Sequence, residues 1–269
     1  MRLRFLGTGT SFGIPVIGCR CKVCTSSDAR DRRSRHGALL EERGRTLLID
    51  TPPELRMQLV TAGVSHLDAV WFTHGHADHT HGIDDLRVFS MRGQPLEAWA
   101  DERTGERLRV VFPYIFDPAY RPPEGTTKPE IDLRTFDGRT AVHVAGFELQ
   151  PLEVPHGDMS VWGFRARGLG YITDAKEIPP AALNVLLGVR VLVLNALWFG
   201  NPHPTHFNIE EAVEAARRIG AERTFLTHLT HRVGHAALAS ALPPGIEPAF
   251  DGLVVDIDEP NNLQTNERT

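Results

Sequence analysis

Residues 73–82 read Thr-His-Gly-His-Ala-Asp-His-Thr-His-Gly. Three imidazoles and a carboxylate, His74, His76, Asp78 and His79, cannot all be ordinary core groups, because each would need its own polar partner. The apolar run 68–73 just before them reads as a buried strand, so the histidines start where a rigid element stops. On a tight turn, His74 and His76 can share one cation while Asp78 and His79 face a second. Imidazole together with carboxylate suits zinc, iron or manganese better than calcium or magnesium. The fold has to be built around this stretch.

The periodicity along the chain predicts a strand over 3–6 and a hairpin of 38–42 with 45–50. A helix opened by Pro52-Pro53 runs to Ala62. A helix over 84–91 follows the histidine stretch, then a short strand and a helix within 95–111. Residues 112–128, rich in proline and aromatics, read as a long ordered loop of the kind that walls a pocket; the 195–207 segment is read the same way. Strands follow over 140–145, 147–154, 161–166 and 169–173. Then come a helix over 179–187 and an apolar strand over 189–194. A helix over 208–219 places Ile209, Ala212, Val213, Ala216 and Ile219 on one face. Strand 224–227, a helix over 235–241 and a last strand over 253–257 complete the order.

Leu48-Ile-Asp50-Thr-Pro-Pro-Glu is echoed weakly by Ile172-Thr-Asp174-Ala-Lys-Glu. Hairpins first and strand–helix alternation later, twice over, fit an αββα sandwich: two mixed sheets face to face with helices outside. We read residues 1–258 as one domain and 259–269 as a polar, disordered tail.

Polar groups recur where predicted strands stop: His156 after Val154-Pro155, Asp174 after 169–173, His228 after 224–227. His156 can complete the imidazole set of His74 and His76, and a carboxylate at 174 can bridge two cations. The structural alternative for Asp174 is an N-cap of the next helix, and for His156 an ordinary loop histidine. The arginine-rich run 30–35 reads as a solvated surface. A net charge of −5 gives no global basic field for nucleic acid. The N-terminal apolar run is too short for a signal peptide and no later segment approaches a membrane span, which predicts a cytoplasmic chain without a membrane partner.

The three cysteines of the chain, Cys19, Cys21 and Cys24, form C-x-C-x-x-C. Clustered thiols in a cytosolic chain point to zinc rather than a disulfide, with three free thiols in a loop as the alternative. Tetrahedral zinc needs a fourth ligand, for which histidine is the usual substitute.

The run Thr73–His79, with Pro155-His156-Gly157, Thr173-Asp174 and Leu226-Thr-His228 in that order, resembles the metallo-β-lactamase-fold hydrolases. Gly7-Thr-Gly9, the cysteine cluster, Leu226-Thr-His228-Leu-Thr-His231 and the run from Ala241 to Gly252 are similar to its PhnP-like phosphodiesterase branch. The resemblance implies two active-site divalent ions, Zn²⁺ or Mn²⁺. His74, His76 and His156 would hold one, Asp78, His79 and His228 the other, with Asp174 between them. It nominates His231 as fourth ligand of a structural Zn²⁺ with Cys19, Cys21 and Cys24. Asp50 matches a family aspartate that orients the ligand loop; Thr51-Pro52-Pro53 departs from the glycine usual there.

The chemistry so implied is cleavage of a small, possibly cyclic, phosphodiester by a hydroxide held between two cations. Asp78 and His206 are the candidate catalytic residues. His206 matches a catalytic histidine of the branch and would give the leaving alkoxide its proton, with His203 as the alternative donor. His81 is read as either beside the metals or at the surface. His36, His66, His143 and His235 are read as ordinary surface or capping residues, and Asp84, Asp85 and Arg87 as helix-start charges. Competing expectations are an RNA-processing endonuclease of the same fold, a lactamase or thioesterase, and a metal-binding accessory protein of cofactor biosynthesis. The expected partner is a small substrate, with a homodimer as a possible assembly.

Overall fold

The computed structural model describes residues 1–91 and 93–258; the tail read at 259–269 lies outside the described residues. In chain order the strands are β1 (Arg2–Gly7), β2 (Gly37–Glu42), β3 (Arg45–Ile49), β4 (Ala69–Trp71), β5 (Leu96–Asp101), β6 (Ile131–Phe136), β7 (Val142–Val144), β8 (Phe147–His156), β9 (Met159–Ala166), β10 (Leu169–Tyr171), β11 (Val191–Asn195), β12 (Arg223–Thr227), β13 (Ile246–Pro248) and β14 (Val254–Asp256). The α-helices are α1 (Leu55–Thr61), α2 (Ala77–Thr80), α3 (Arg87–Ser90), α4 (Glu102–Val111), α5 (Pro113–Phe116), α6 (Pro180–Leu186), α7 (Ile209–Ile219) and α8 (His235–Ala241).

Two seven-stranded sheets result, ordered β14-β1-β2-β3-β4-β5-β6 and β7-β8-β9-β10-β11-β12-β13. Each pairs antiparallel across its first four strands and parallel from the fourth to the seventh. The sequence echo is explained by this: Asp50 and Asp174 follow β3 and β10, the fourth strand of each sheet. Both aspartates hold the left-handed backbone, with φ of 62° and 55°, a conformation uncommon outside glycine.

Between the sheets, Phe5, Leu40, Leu47 and Trp71 of the first face Phe164, Tyr171, Val193 and Phe225 of the second. Trp71 stacks on Phe136 at 4.4 Å. The outer face of the first sheet is covered by α1 and α4, whose Leu55, Leu59 and Leu108 bury Leu39, Leu48 and Val70. On the outer face of the second, α6, α7 and α8 bury Leu192, Leu194 and Leu226. Central strands covered on both faces need no polar alternation, so every residue of β11, Val-Leu-Val-Leu-Asn, is buried. α7 carries a capping box between Asn208 and Glu211 and ends at left-handed Gly220.

The αββα expectation agrees with this architecture. Several local expectations do not. Residues 112–128 are not all loop, because Pro113 opens α5. Strands β6 and β13 were not predicted. β6 is an edge strand with five of its six residues at least partly exposed, and its alternation, Ile131-Asp-Leu133-Arg, is only four residues long. The helix expected over 84–91 splits into a 3-10 turn, Ile83–Leu86, and the short α3. The arginine run is not all solvated: Arg33 is fully buried, paired with Asp31 and donating to the Thr230 carbonyl. His235 is buried against Phe250. Asp84 does pair with Arg87, and also accepts from Tyr114 Oη at 2.8 Å. No helix of the described residues is long and apolar enough to cross a membrane.

Candidate metal centre

The histidine stretch leaves β4 and enters the one-turn α2, where the side chains at 76, 78 and 79 turn toward His74 over the ends of both sheets. Asp50 fixes this turn. Its Oδ1 accepts the Thr73 N–H at 2.8 Å, and its Oδ2 accepts the Thr73 hydroxyl at 2.8 Å and His79 Nδ1–H at 2.7 Å. With Nδ1 so engaged, Nε2 of His79 is aimed at the interior of the site. Gly75 keeps the turn tight against α4: a Cβ there would meet Arg107 Cγ at 2.9 Å.

His74, His76 and His156 form one group of donor atoms within 4.8 Å of one another, and Asp78, His79 and His228 form another. His74 Nε2 and His76 Nδ1 are 3.0 Å apart, close to the roughly 3.0–3.4 Å between two nitrogens bound to one zinc at about 2.0–2.1 Å. His156, at the end of β8, donates Nδ1–H to the Thr205 carbonyl at 3.0 Å, which leaves its Nε2 as a lone-pair donor.

Asp174 is the hub. Thr173 donates its hydroxyl to Oδ1. Oδ2 faces the Nε2 atoms of His206 at 3.3 Å, His79 and His228 at 3.4 Å, and His74 at 3.8 Å. Asp174 does not cap α6, whose N-cap position is Pro179. His228, one residue past β12, is held at φ 55°, its Nε2 3.7 Å from Asp78 Oδ2.

Whether these residues suit a cation can be tested on their unmet needs. His79 Nε2 and His228 Nε2 are buried without a hydrogen-bond partner, a condition that costs roughly 1–3 kcal/mol per group. Burial lowers the basicity of His74, His76, His156 and His206. Burial also opposes charge on His79, but Asp174, Asp50 and Asp78 outweigh it and raise its pKa well above the usual. Asp174 and Asp78 are pushed up by burial, yet the surrounding imidazoles prevail and hold both below the ordinary carboxylate range. Ionised carboxylates beside mostly neutral imidazoles are the form in which these groups ligate. The set fits divalent-metal ligation.

His206 stacks on the ring of His228 at 5.0 Å, inside the cluster rather than on its rim, and with His156 and Asp174 makes a further donor group. His203 stands one layer out, its Nδ1 3.3 Å from His206 Nδ1. His81 is exposed and packs on Phe112. His36, read as a surface or capping residue, is instead fully buried beneath His79 and His228. Thr205, which orients His156, also escaped the sequence reading, since a backbone carbonyl leaves no side-chain signal.

A second cluster lies one turn further along. Cys19, Cys21 and Cys24 place their sulfurs 3.3, 3.4 and 3.4 Å from His231 Nδ1. Sulfur and nitrogen ligands of one tetrahedral zinc lie roughly 3.5 Å apart. The Cys24 N–H, donated to the Cys21 sulfur, pulls that thiol down to about 6 against the effect of burial, while burial pushes Cys24 up to about 11.

An αββα sandwich with histidines and aspartates gathered at the strand ends is the metallo-β-lactamase fold. The chain belongs to the beta-lactamase superfamily, whose domain matches residues 45–229. A crystal structure described as a new diphosphatase from the PhnP family is 36% identical, with a TM-score of 0.87 over 95% of this chain and 97% of that one. The Zn²⁺-bound PqqB from Methylobacterium extorquens, 20% identical, shares the fold with a TM-score of 0.77 over 95% of this chain and all of its own. A Porphyromonas gingivalis protein named octanoyltransferase is 35% identical over 261 residues, 96% of this chain. This chain spans about half the length of that relative, 52%.

Proposed function

We propose that the protein is a metal-dependent phosphodiesterase acting on a small, possibly cyclic, substrate. One observation carries the metal reading: Asp174 Oδ2 faces four imidazole Nε2 atoms within 3.8 Å, two of them buried without a hydrogen-bond partner. His74, His76 and His156 would hold one cation, Asp78, His79 and His228 the second, and Asp174 both. Such ions polarise a phosphoryl oxygen and acidify water into the neutral range.

The chain's own groups supply the rest. Asp50 orients His79 and the Thr205 carbonyl orients His156. His206 keeps Nε2 toward Asp174 and Nδ1 toward the Thr205 hydroxyl, 2.9 Å away. In its protonated form it is placed there to give its proton to the departing alkoxide. Cys19, Cys21, Cys24 and His231 would bind a structural zinc.

The diphosphatase relative favours a second reading, hydrolysis of a diphosphate bond, which the same groups serve by in-line displacement at phosphorus. Acyl transfer is not assigned to this chain, which spans 52% of the relative that carries that name. The net charge of −5 weighs against an RNA substrate.

Manganese-loaded protein should hydrolyse bis-p-nitrophenyl phosphate and leave nitrocefin intact. No diester hydrolysis at full metal occupancy would overturn the phosphodiesterase reading; cleavage of diphosphate compounds alone would select the second.

A further inference from the structure

His36 has no part in the chemistry proposed above, yet its ring centroid lies 5.8 Å from that of His79 and 6.3 Å from that of His228. Both of its nitrogens end on hydroxyls: Nε2 is 2.6 Å from Tyr171 Oη, and Nδ1 is 3.1 Å from Thr227 Oγ1. A neutral imidazole has one N–H and one lone pair, so one hydroxyl donates to the ring and the other accepts from it. Both bonds cross between the sheets. His36 leads into β2, Tyr171 ends β10 three residues before Asp174, and Thr227 ends β12 immediately before His228.

The local construction holds His36 in place. Pairing of β1 with β2 shifts register between Phe5 and Gly7, an irregularity of the kind that re-aims a neighbouring side chain. A Cβ on Gly7 would lie 2.0 Å from the Arg35 carbonyl oxygen, so only glycine lets the strands approach there. At the other end, the Tyr171 ring stacks on Phe164 at 5.4 Å and 5°. Other directional bonds also join the two layers, among them Trp71 Nε1 to the Trp162 carbonyl and the backbone bonds of Leu229 with Thr8 and Thr10; the two His36 bonds are side-chain bonds that lie directly beneath His79 and His228.

We infer that His36 is a positioning residue for the half of the centre containing His79 and His228. It ties the ends of β10 and β12 to the first sheet, and so sets how far Asp174 and His228 stand from His79. The inference rests on the ligand assignment proposed above. His156 is oriented separately by Thr205, so the group of His74, His76 and His156 is coupled to His36 only through the shared Asp174.

The test is a graded chelator titration of zinc-loaded protein, measuring zinc released per chain and, in parallel, Tm. Tyr171→Phe and Thr227→Val each delete one hydroxyl at nearly constant volume, and His36→Phe removes both bonds. The Tyr171→Phe variant and, where it folds, His36→Phe should release one zinc at a chelator concentration about 10–100-fold lower than wild type. The zinc of the cysteine cluster should be unchanged, the cation of His74, His76 and His156 should weaken less than that of His79 and His228, and Tyr171→Phe added to His36→Phe should have no further effect.

A lowered Tm with every zinc held as in wild type, in both Tyr171→Phe and Thr227→Val, would overturn the inference and leave His36 as a structural pillar only. His79→Ala separates the two layers of the argument. If it keeps its full zinc complement, the ligand assignment fails and the inference with it. If it loses one zinc while the His36, Tyr171 and Thr227 variants lose none, only the inference falls.

Discussion

The two ligand clusters share one short segment, with His228 in the centre at the strand ends and His231 in the cysteine cluster, yet they are built on opposite plans. The cysteine cluster draws three of its groups from a six-residue loop and closes four donors around one point. The strand-end centre draws on both sheets, mixes carboxylate with imidazole, and leaves His76 exposed and His206 partly so. A closed set of soft thiolates suits a structural ion; an open set of harder donors suits an ion that must meet substrate. The segment from 228 to 231 is clamped between them: Leu229 exchanges backbone bonds with Thr8 and Thr10, and Thr230 donates to the Leu197 carbonyl. Nearness in sequence therefore does not make one site of them.

The largest expected effect breaks the centre at its hub. Asp174→Ala should abolish diester hydrolysis to background and empty both active-site positions, while one zinc remains per chain by elemental analysis. Loss of that last zinc too would show the clusters to be one cooperative unit. Next, His206→Ala should cut turnover by roughly 10²-fold or more at unchanged metal content, the loss of a proton donor; metal lost in parallel would make His206 a ligand instead.

Cys21→Ser acts on the other side of the comparison. It should remove one zinc and lower Tm by more than about 4 °C, equivalent to roughly 1–2 kcal/mol in a chain of this size. The active-site pair should stay bound, with diester hydrolysis within about threefold of wild type. The smallest effect is in thiol reactivity of the chelated protein. A thiol lowered to about 6 is thiolate at pH 7, whereas one raised to about 11 is not. Iodoacetamide followed by mass spectrometry should label Cys21 with a rate that levels off above about pH 7, and Cys24 only in alkali. Equal labelling of both at pH 7 would contradict that difference.

Both clusters were visible in the sequence to the extent that they are local. His74, His76, Asp78 and His79 fall within one turn, and Cys19, Cys21 and Cys24 within one loop, so their spacing alone brings each set of donor groups together. His156, Asp174 and His228 were legible for another reason: each stands where an apolar run ends, and strand ends converge at one edge of a sandwich. The duplicated pairing scheme of the two sheets also left a trace, in the echo of Asp50 by Asp174.

Arg33, His36, Tyr171 and Thr205 left none. Arg33 looked like part of a solvated basic run, but its guanidinium pairs with the Thr230 carbonyl and Asp31 in the interior. His36 bonds to residues 135 and 191 positions away, and no sequence period encodes a contact across two sheets. Which residues could carry ligand chemistry was suggested by residue type and, within each loop, by local spacing. How their atoms are aimed, and what holds the sheets at the separation the centre needs, was decided only in the tertiary structure, because directional hydrogen bonds between distant strands exist only once both sheets have formed.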